Sequence, residues 1–360
     1  MAWPRVPATA PVLLGLLLVA ALVSMRQLDR FFTLAFTQDH DTGPRLTDSA
    51  SDIASEPPTA NQRAPQSPVA DEPPVRTTAL TIQPNDPRDA VRQAVVERML
   101  ACYLKTNATP TWFGISKRKV VPLARRNKTQ TWGTYVPALR GINRSYVFND
   151  EQSYMDDYAR SRYAYTWKKA GWDCMRHVEI LGAGAIPLFY RISRRPMCTL
   201  VGHPFDLYAD IESAVAASLP PNTNILSKPA LAHLPQEEQW ARDLETHFRA
   251  TLTCGAMIET LYLFWQTHMA KSRELKPPRR VLFYDRSLLK QADYMSVTTL
   301  IGLNEAWDES AHVDVVWRPP YLYSDWPGRP QTLYGMGFNY VRSQSFCCGV
   351  LLGAFAPPRD

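Results

Sequence analysis

YMDDYARSRYAYTWKKAGWDCMRHVEILGAGAIPLFY, residues 154–190 of a 360-residue chain, passes from helical to strand periodicity and back again. Tyr154, Met155, Tyr158 and Ala159 fall on one face of a helix expected over 151–162. Residues 163–167 (Tyr-Ala-Tyr-Thr-Trp) then alternate as a strand does. Lys168 to Trp172 reads as a loop, and Asp173 is placed to cap the next helix. Met175, Val178 and Leu181 recur at helical spacing, Gly182 and Gly184 end the helix, and residues 185–190 form the apolar run of a buried strand. Helix–strand–loop–helix–strand is the rhythm of an α/β fold with a parallel sheet.

The loop before the second helix carries the chemistry. Lys168 and Lys169 stand beside a helix amino terminus, and Arg176 and Glu179 follow on that helix. Cationic side chains and free N–H groups at a helix start suit a diphosphate. Glu179, one turn beyond Arg176, suits a ribose diol, because a carboxylate accepts hydrogen bonds from both hydroxyls. The plainer alternative makes Arg176 and Glu179 an ion pair on a helix surface and the lysines solubilising.

Tyr154 with Ser161-Arg-Tyr163, followed by WDCMRHVEILGAGAIP (172–187), resembles the exostosin-like glycosyltransferases. That family shows an Arg-x-x-Glu-x-Leu-x-x-Gly-Cys-Ile-Pro run in the nucleotide-sugar domain of its two-Rossmann GT-B fold. The resemblance covers about a tenth of the chain, with Ala185 where the family usually has Cys. It implies that Glu179 contacts the donor ribose and that Arg176 and a lysine of 168–169 stabilise the departing diphosphate. It further implies a nucleotide sugar as co-substrate, no other cofactor, and a glycan as acceptor. The body lacks Asp-x-Asp, which agrees with a metal-independent route.

Upstream, Arg5 precedes an apolar stretch from Ala8 to Val23, closed by Arg26 and Arg30. Its length lies between a cleaved signal and a spanning helix, and we read it as a signal anchor. Pro, Ser, Thr, Asp and Ala dominate from Asp39 to Asp89, the composition of a disordered stem. The sequons at Asn107, Asn127 and Asn143 fit a lumenal surface. The six cysteines are compatible with an oxidising compartment, their pairing open. Together these predict a single-pass type II protein of the Golgi or another secretory-pathway membrane. Residues 1–90 carry 7 basic against 10 acidic side chains, and the remainder 33 against 24, so an acidic leader precedes a basic body. With 45% hydrophobic residues, the chain is neither wholly disordered nor collagenous, and it shows no coiled-coil repeat or series of spanning runs. A lumenal body also argues against nucleic acid as partner.

Downstream, 237–265 reads as one helix. Val281 to Tyr284 reads as a strand leading to Asp285, and Tyr294, Val297, Leu300 and Leu303 mark a helix. Val313 to Trp317 reads as a second strand. Asp285 and Asp293 are better read as turn caps than as acid/base groups, and His177 as structural rather than catalytic. The expected organisation is a tail and anchor over 1–30, a stem over 31–88, a Rossmann-like donor domain over 89–275, and a second, incomplete α/β unit over 276–360. The expected activity is sugar transfer to a glycan, the alternative a non-catalytic glycan-binding protein retaining the fold.

Overall fold

The structure, a computed structural model, describes residues 86–134, 147–169, 171–269, 280–285, 293–306, 312–315 and 319–344. The expected anchor, nearly all of the stem and the Asn143 sequon lie outside the described residues. Among the described residues, no helix is long and apolar enough to cross a membrane.

The architecture is mixed α/β. Helix α1 (Pro87–Thr106) begins at Asp86, whose side chain accepts from the Arg88 amide at 2.8 Å. Pro87 occupies the first helical position, where a missing N–H costs nothing. Strand β1 (Gln130–Trp132) follows, then α2 (Glu151–Arg160), β2 (Ser161–Thr166), α3 (Met175–Gly182) and β3 (Ile186–Phe189). The three strands form a parallel sheet in the order β1-β2-β3, with Trp132 opposite Tyr163 and Tyr163 opposite Ile186. Every residue of β2 and β3 is buried, as a parallel sheet covered on both faces requires. Gly184 turns the chain from α3 into β3 at φ +74°, where a Cβ would lie 2.6 Å from Arg126 Cδ. Only glycine meets both conditions.

Helix α4 (Phe205–Ala217) packs on β3, and α5 (Glu237–His247) is held to β2 by a buried Arg162–Glu237 ion pair. The single helix expected over 237–265 is in fact interrupted. After a π-helical turn at Phe248–Leu252, Thr253 is extended and its hydroxyl caps α6 (Cys254–Phe264). The break has a backbone cause: Ile115 donates to the Leu252 carbonyl at 3.1 Å and accepts from the Cys254 amide at 2.9 Å. An inserted strand-like residue takes up groups that a continuous helix would have bonded internally.

A second parallel pair, β4 (Arg280–Phe283) and β5 (His312–Val315), is joined through α7 (Tyr294–Ala306). Asp293 caps α7 through the Ser296 amide, the turn-capping role expected of it. Helix α7 packs along α6, and its Val297, Leu300 and Ile301 build a second apolar cluster with Tyr321, Leu322, Tyr340 and Val341. A disulfide joins Cys102, in the last turns of α1, to Cys198.

Candidate functional site

Asp150 caps α2 by accepting from the Ser153 amide at 2.7 Å, which sets Tyr154 and Tyr158 one turn apart on its buried face. Helix α3 is buried along its whole length. Arg176 is 6% exposed and Glu179 5%, so the surface ion pair weighed as the alternative is not what the chain builds.

Each Glu179 oxygen has its own donor. Tyr154 donates its hydroxyl to Oε2 at 2.5 Å, and Asn339 donates its side-chain amide to Oε1 at 2.5 Å. The Tyr158 hydroxyl reaches that of Tyr154 at 3.2 Å. Asn339 also donates its backbone N–H to Glu151 Oε1 at 2.8 Å, and Lys119 pairs with Glu151 Oε2 at 2.7 Å. Phe338 stacks on the Tyr154 ring, centroids 5.4 Å apart.

Burial pushes the Glu179 carboxyl up to about 7. The Tyr154 hydrogen bond and the positive charges of Arg176 and Lys169 pull it down, and Glu151 adds to the rise. Desolvation prevails because the carboxylate is buried. Burial, then the Glu179 charge, raises the Tyr154 phenol well above its ordinary value, so it stays a proton donor.

Of the four residues predicted from sequence, the structure brings three together. Arg176 and Glu179 share α3, and the charge of Lys169, exposed in the preceding loop, bears on Glu179. Lys168, exposed beside it, is not among the leading charges acting on that carboxyl. Asp173 does not cap α3; Cys174 holds that position without a side-chain bond. The Asp173 carboxylate instead accepts from the Leu200 amide at 3.1 Å, and burial raises it to about 6. His177 is fully enclosed, its Nδ1 2.7 Å from the Thr166 hydroxyl and its Nε2 2.7 Å from the Trp172 carbonyl. Burial lowers it to about 3, so it is a neutral structural group, as the sequence suggested.

Two site residues escaped the sequence reading. Glu151 carries the ordinary signature of a first-turn acid, and nothing marked it as facing Glu179. Asn339 lies 160 residues from Glu179 in a stretch without periodicity, so no local signal pointed to it.

A surface cavity of about 300 Å³ opens elsewhere, between Ile192, Arg195, Met197 and Phe205. Arg195 is committed there: it donates to the carbonyls of Pro196, Met197 and Thr199 and lies 3.4 Å over the Phe205 ring. It braces a loop. Among the described residues, no group of three or more His, Cys, Asp or Glu side chains is arranged to hold a metal ion.

Comparison with known proteins returned no match to a family model, a curated protein or a solved structure.

Proposed function

We propose that this protein is a glycosyltransferase whose β2–α3–β3 unit binds the nucleotide part of a nucleotide-sugar donor. The observation that carries the reading is a buried carboxylate, Glu179, one turn from a buried Arg176, on the helix that follows the loop bearing Lys168 and Lys169. A folded chain seldom buries an acid and a cation on one short helix without a task for them. Glu179 holds the ribose diol. Arg176 and Lys169, with Lys168 at the loop rim, neutralise the diphosphate as it leaves, an electrostatic contribution to the transition state. The Tyr154 hydroxyl fixes the orientation of the carboxylate. The sugar passes to a glycan hydroxyl.

The remaining architecture follows from the same reading. The donor unit belongs to a GT-B-type fold, and the β4–α7–β5 unit to a second α/β layer. The Ala8–Val23 stretch anchors the chain in a Golgi or related membrane with the body in the lumen. The Cys102–Cys198 disulfide suits an oxidising compartment. Asn107 and Asn127 of the sequons are exposed, as glycan acceptors must be.

Two observations favour a second reading, a non-catalytic glycan-binding protein retaining the fold. The second sheet has two strands among the described residues, and Glu179 is already satisfied by protein groups. Titration of the purified protein with UDP and GDP tests the donor site. We expect binding that falls at least ten-fold in Glu179→Ala; equal binding by that variant refutes the assignment. Glycan binding without nucleotide binding would select the second reading.

A further inference from the structure

We propose that residues 334–344 form an internal plug of the donor site, in which the Asn339 carboxamide stands where the ribose hydroxyls of a nucleoside diphosphate would bind, so that plug and nucleotide compete for Glu179. The proposal rests on the donor-site reading above and adds a regulation to it.

The hydrogen-bond accounting comes first. A ribose diol needs acceptor positions on the Glu179 carboxylate, and Asn339 holds one of those on Oε1 at 2.5 Å. Asn339 is 2% exposed, and its own Oδ1 has no hydrogen-bond partner among the described residues. Buried amides settled in a core have both ends bonded. An amide with one end satisfied and the other bare is the arrangement expected of a stand-in.

The segment also carries backbone strain. Met336, Asn339 and Arg342 take left-handed φ values of 58°, 70° and 54°, and Gly335 and Gly337 lie at 61° and 71°. Such conformations are disfavoured for residues with a Cβ and persist only where surrounding contacts hold them. Those contacts divide at Tyr340. Tyr340 and Val341 pack in the second apolar cluster with Tyr321 and α7, and the Arg342 and Gln344 amides bond to the Tyr321 and Leu322 carbonyls. Phe338 and Asn339 instead reach the donor unit, through the Tyr154 ring, Glu151 and Glu179. Residues 335–339 can lift away while Tyr340–Gln344 stay anchored. Nucleotide entry requires that lift.

Calorimetric titration of the full chain with UDP and GDP tests the plug, alongside hydrogen exchange with and without nucleotide. Asn339→Ala should bind at least one of them about ten-fold more tightly than wild type, and exchange over 335–339 should accelerate when nucleotide saturates the wild type. Unchanged or weaker binding by Asn339→Ala, with wild type binding and Glu179→Ala not, overturns the plug and leaves the donor site standing. No binding of either nucleotide by wild type and Asn339→Ala overturns both. If Asn339→Ala does not fold, exchange on the wild type decides. Faster exchange over 335–339 supports the plug. Slower or unchanged exchange, or no nucleotide binding at all, overturns it.

Discussion

Tyr154 and Glu179, 25 residues apart in sequence, meet in a buried 2.5 Å hydrogen bond that ties α2 to α3. With the phenol raised by burial, Tyr154 donates and Glu179 accepts. Removing the hydroxyl leaves a carboxylate oxygen in the core without its donor. Tyr154→Phe should therefore lose about 1–3 kcal/mol of stability, the cost of an unsatisfied buried polar group. The loss should be greater at pH 8, where the carboxylate is charged, than at pH 5.5. Urea unfolding at both values checks this; an equal loss at each would show that the bond does not depend on the Glu179 charge.

Glu179 itself gives the fold a pH dependence of defined sign. Its folded value, about 7, lies above the ordinary 4.5. The folded state thus holds the proton more tightly, and the resulting stability is full below about 4.5 and fades as the pH rises through 7. The whole excursion is on the order of 3 kcal/mol at about 1.4 kcal/mol per unit. In Glu179→Gln the difference in unfolding free energy between pH 5 and pH 8.5 should shift by that order, in favour of the higher pH. An unchanged difference would place the titrating group elsewhere.

Three buried histidines act in the opposite direction. Burial holds His177 at about 3, His247 at about 4, and His203 well below its ordinary value. His247 Nε2 bonds to the Gly202 carbonyl, His203 Nδ1 to the Tyr208 hydroxyl, and Arg98 donates to the Val201 and His203 carbonyls. A depressed histidine stabilises fully above its unfolded value near 6.5 and loses that contribution as the pH falls toward the folded value. By pH 5 His177 should cost about 2 kcal/mol at about 1.4 kcal/mol per unit. Asp173, raised to about 6, and Glu179 partly offset the three on the acid side. Replacement by asparagine at 177 should lower stability at pH 7.5 while shrinking the loss between pH 7.5 and 5. Unfolding curves at the two pH values measure both, and an undiminished acid loss would rule His177 out as a contributor.

The α2–β2–α3–β3 order was legible because its signals are local. Tyr154 and Tyr158 share a helix face, residues 163–167 alternate, and Gly184 marks the turn that only glycine makes; the strand itself starts earlier, at Ser161, so Ser161 and Arg162 belong to β2 and not to the helix expected over 151–162. Helix α7 and its flanking strands could be read for the same reason. What could not be read depends on distant chain. The break at Thr253 exists because Ile115 inserts there, 138 positions upstream. The donor to Glu179 Oε1 comes from Asn339, in a stretch of short turns with no hydrophobic period. Asp157 was likewise unmarked. It is fully buried at the end of α2, accepting from the Thr134 amide at 2.7 Å and the Thr134 hydroxyl at 2.6 Å to hold the chain just after β1. Sequence pattern reports which face of an element is apolar, and it is silent on which remote polar group arrives at that face.

The Cys102–Cys198 bridge closes a loop of 96 residues that contains β1, α2, β2, α3 and β3. Holding a loop of that length together restricts the unfolded chain, and losing such a bridge costs about 2–5 kcal/mol. Cys102→Ser with Cys198→Ser should lower the denaturant midpoint accordingly, and reductant should produce the same shift in the wild type. A wild-type midpoint indifferent to reductant would mean that the pair is not bonded.

Where α6 meets α7, Gly302 lies so near the start of α6 that a Cβ would stand 2.4 Å from the Cys254 carbonyl oxygen and 2.7 Å from Ile258 Cγ1. The same approach lets Glu305 accept from the Gly255 amide at 3.2 Å, the Lys117 amide at 2.9 Å and the Ser116 hydroxyl at 2.7 Å. One carboxylate thereby clamps α7, the first turn of α6 and the loop after Ile115. Gly302→Ala should push the helices apart and cost about 1–3 kcal/mol, the usual range for overpacking, plus any part of the clamp that is lost. Because Glu305 is raised by burial, pulling it toward solvent should also lower its pKa. Denaturant unfolding measures the first effect, and carboxyl titration by NMR the second. If Gly302→Ala unfolds at the wild-type midpoint, the two helices are not in close contact, and the route by which the second apolar cluster joins the rest of the chain must be different.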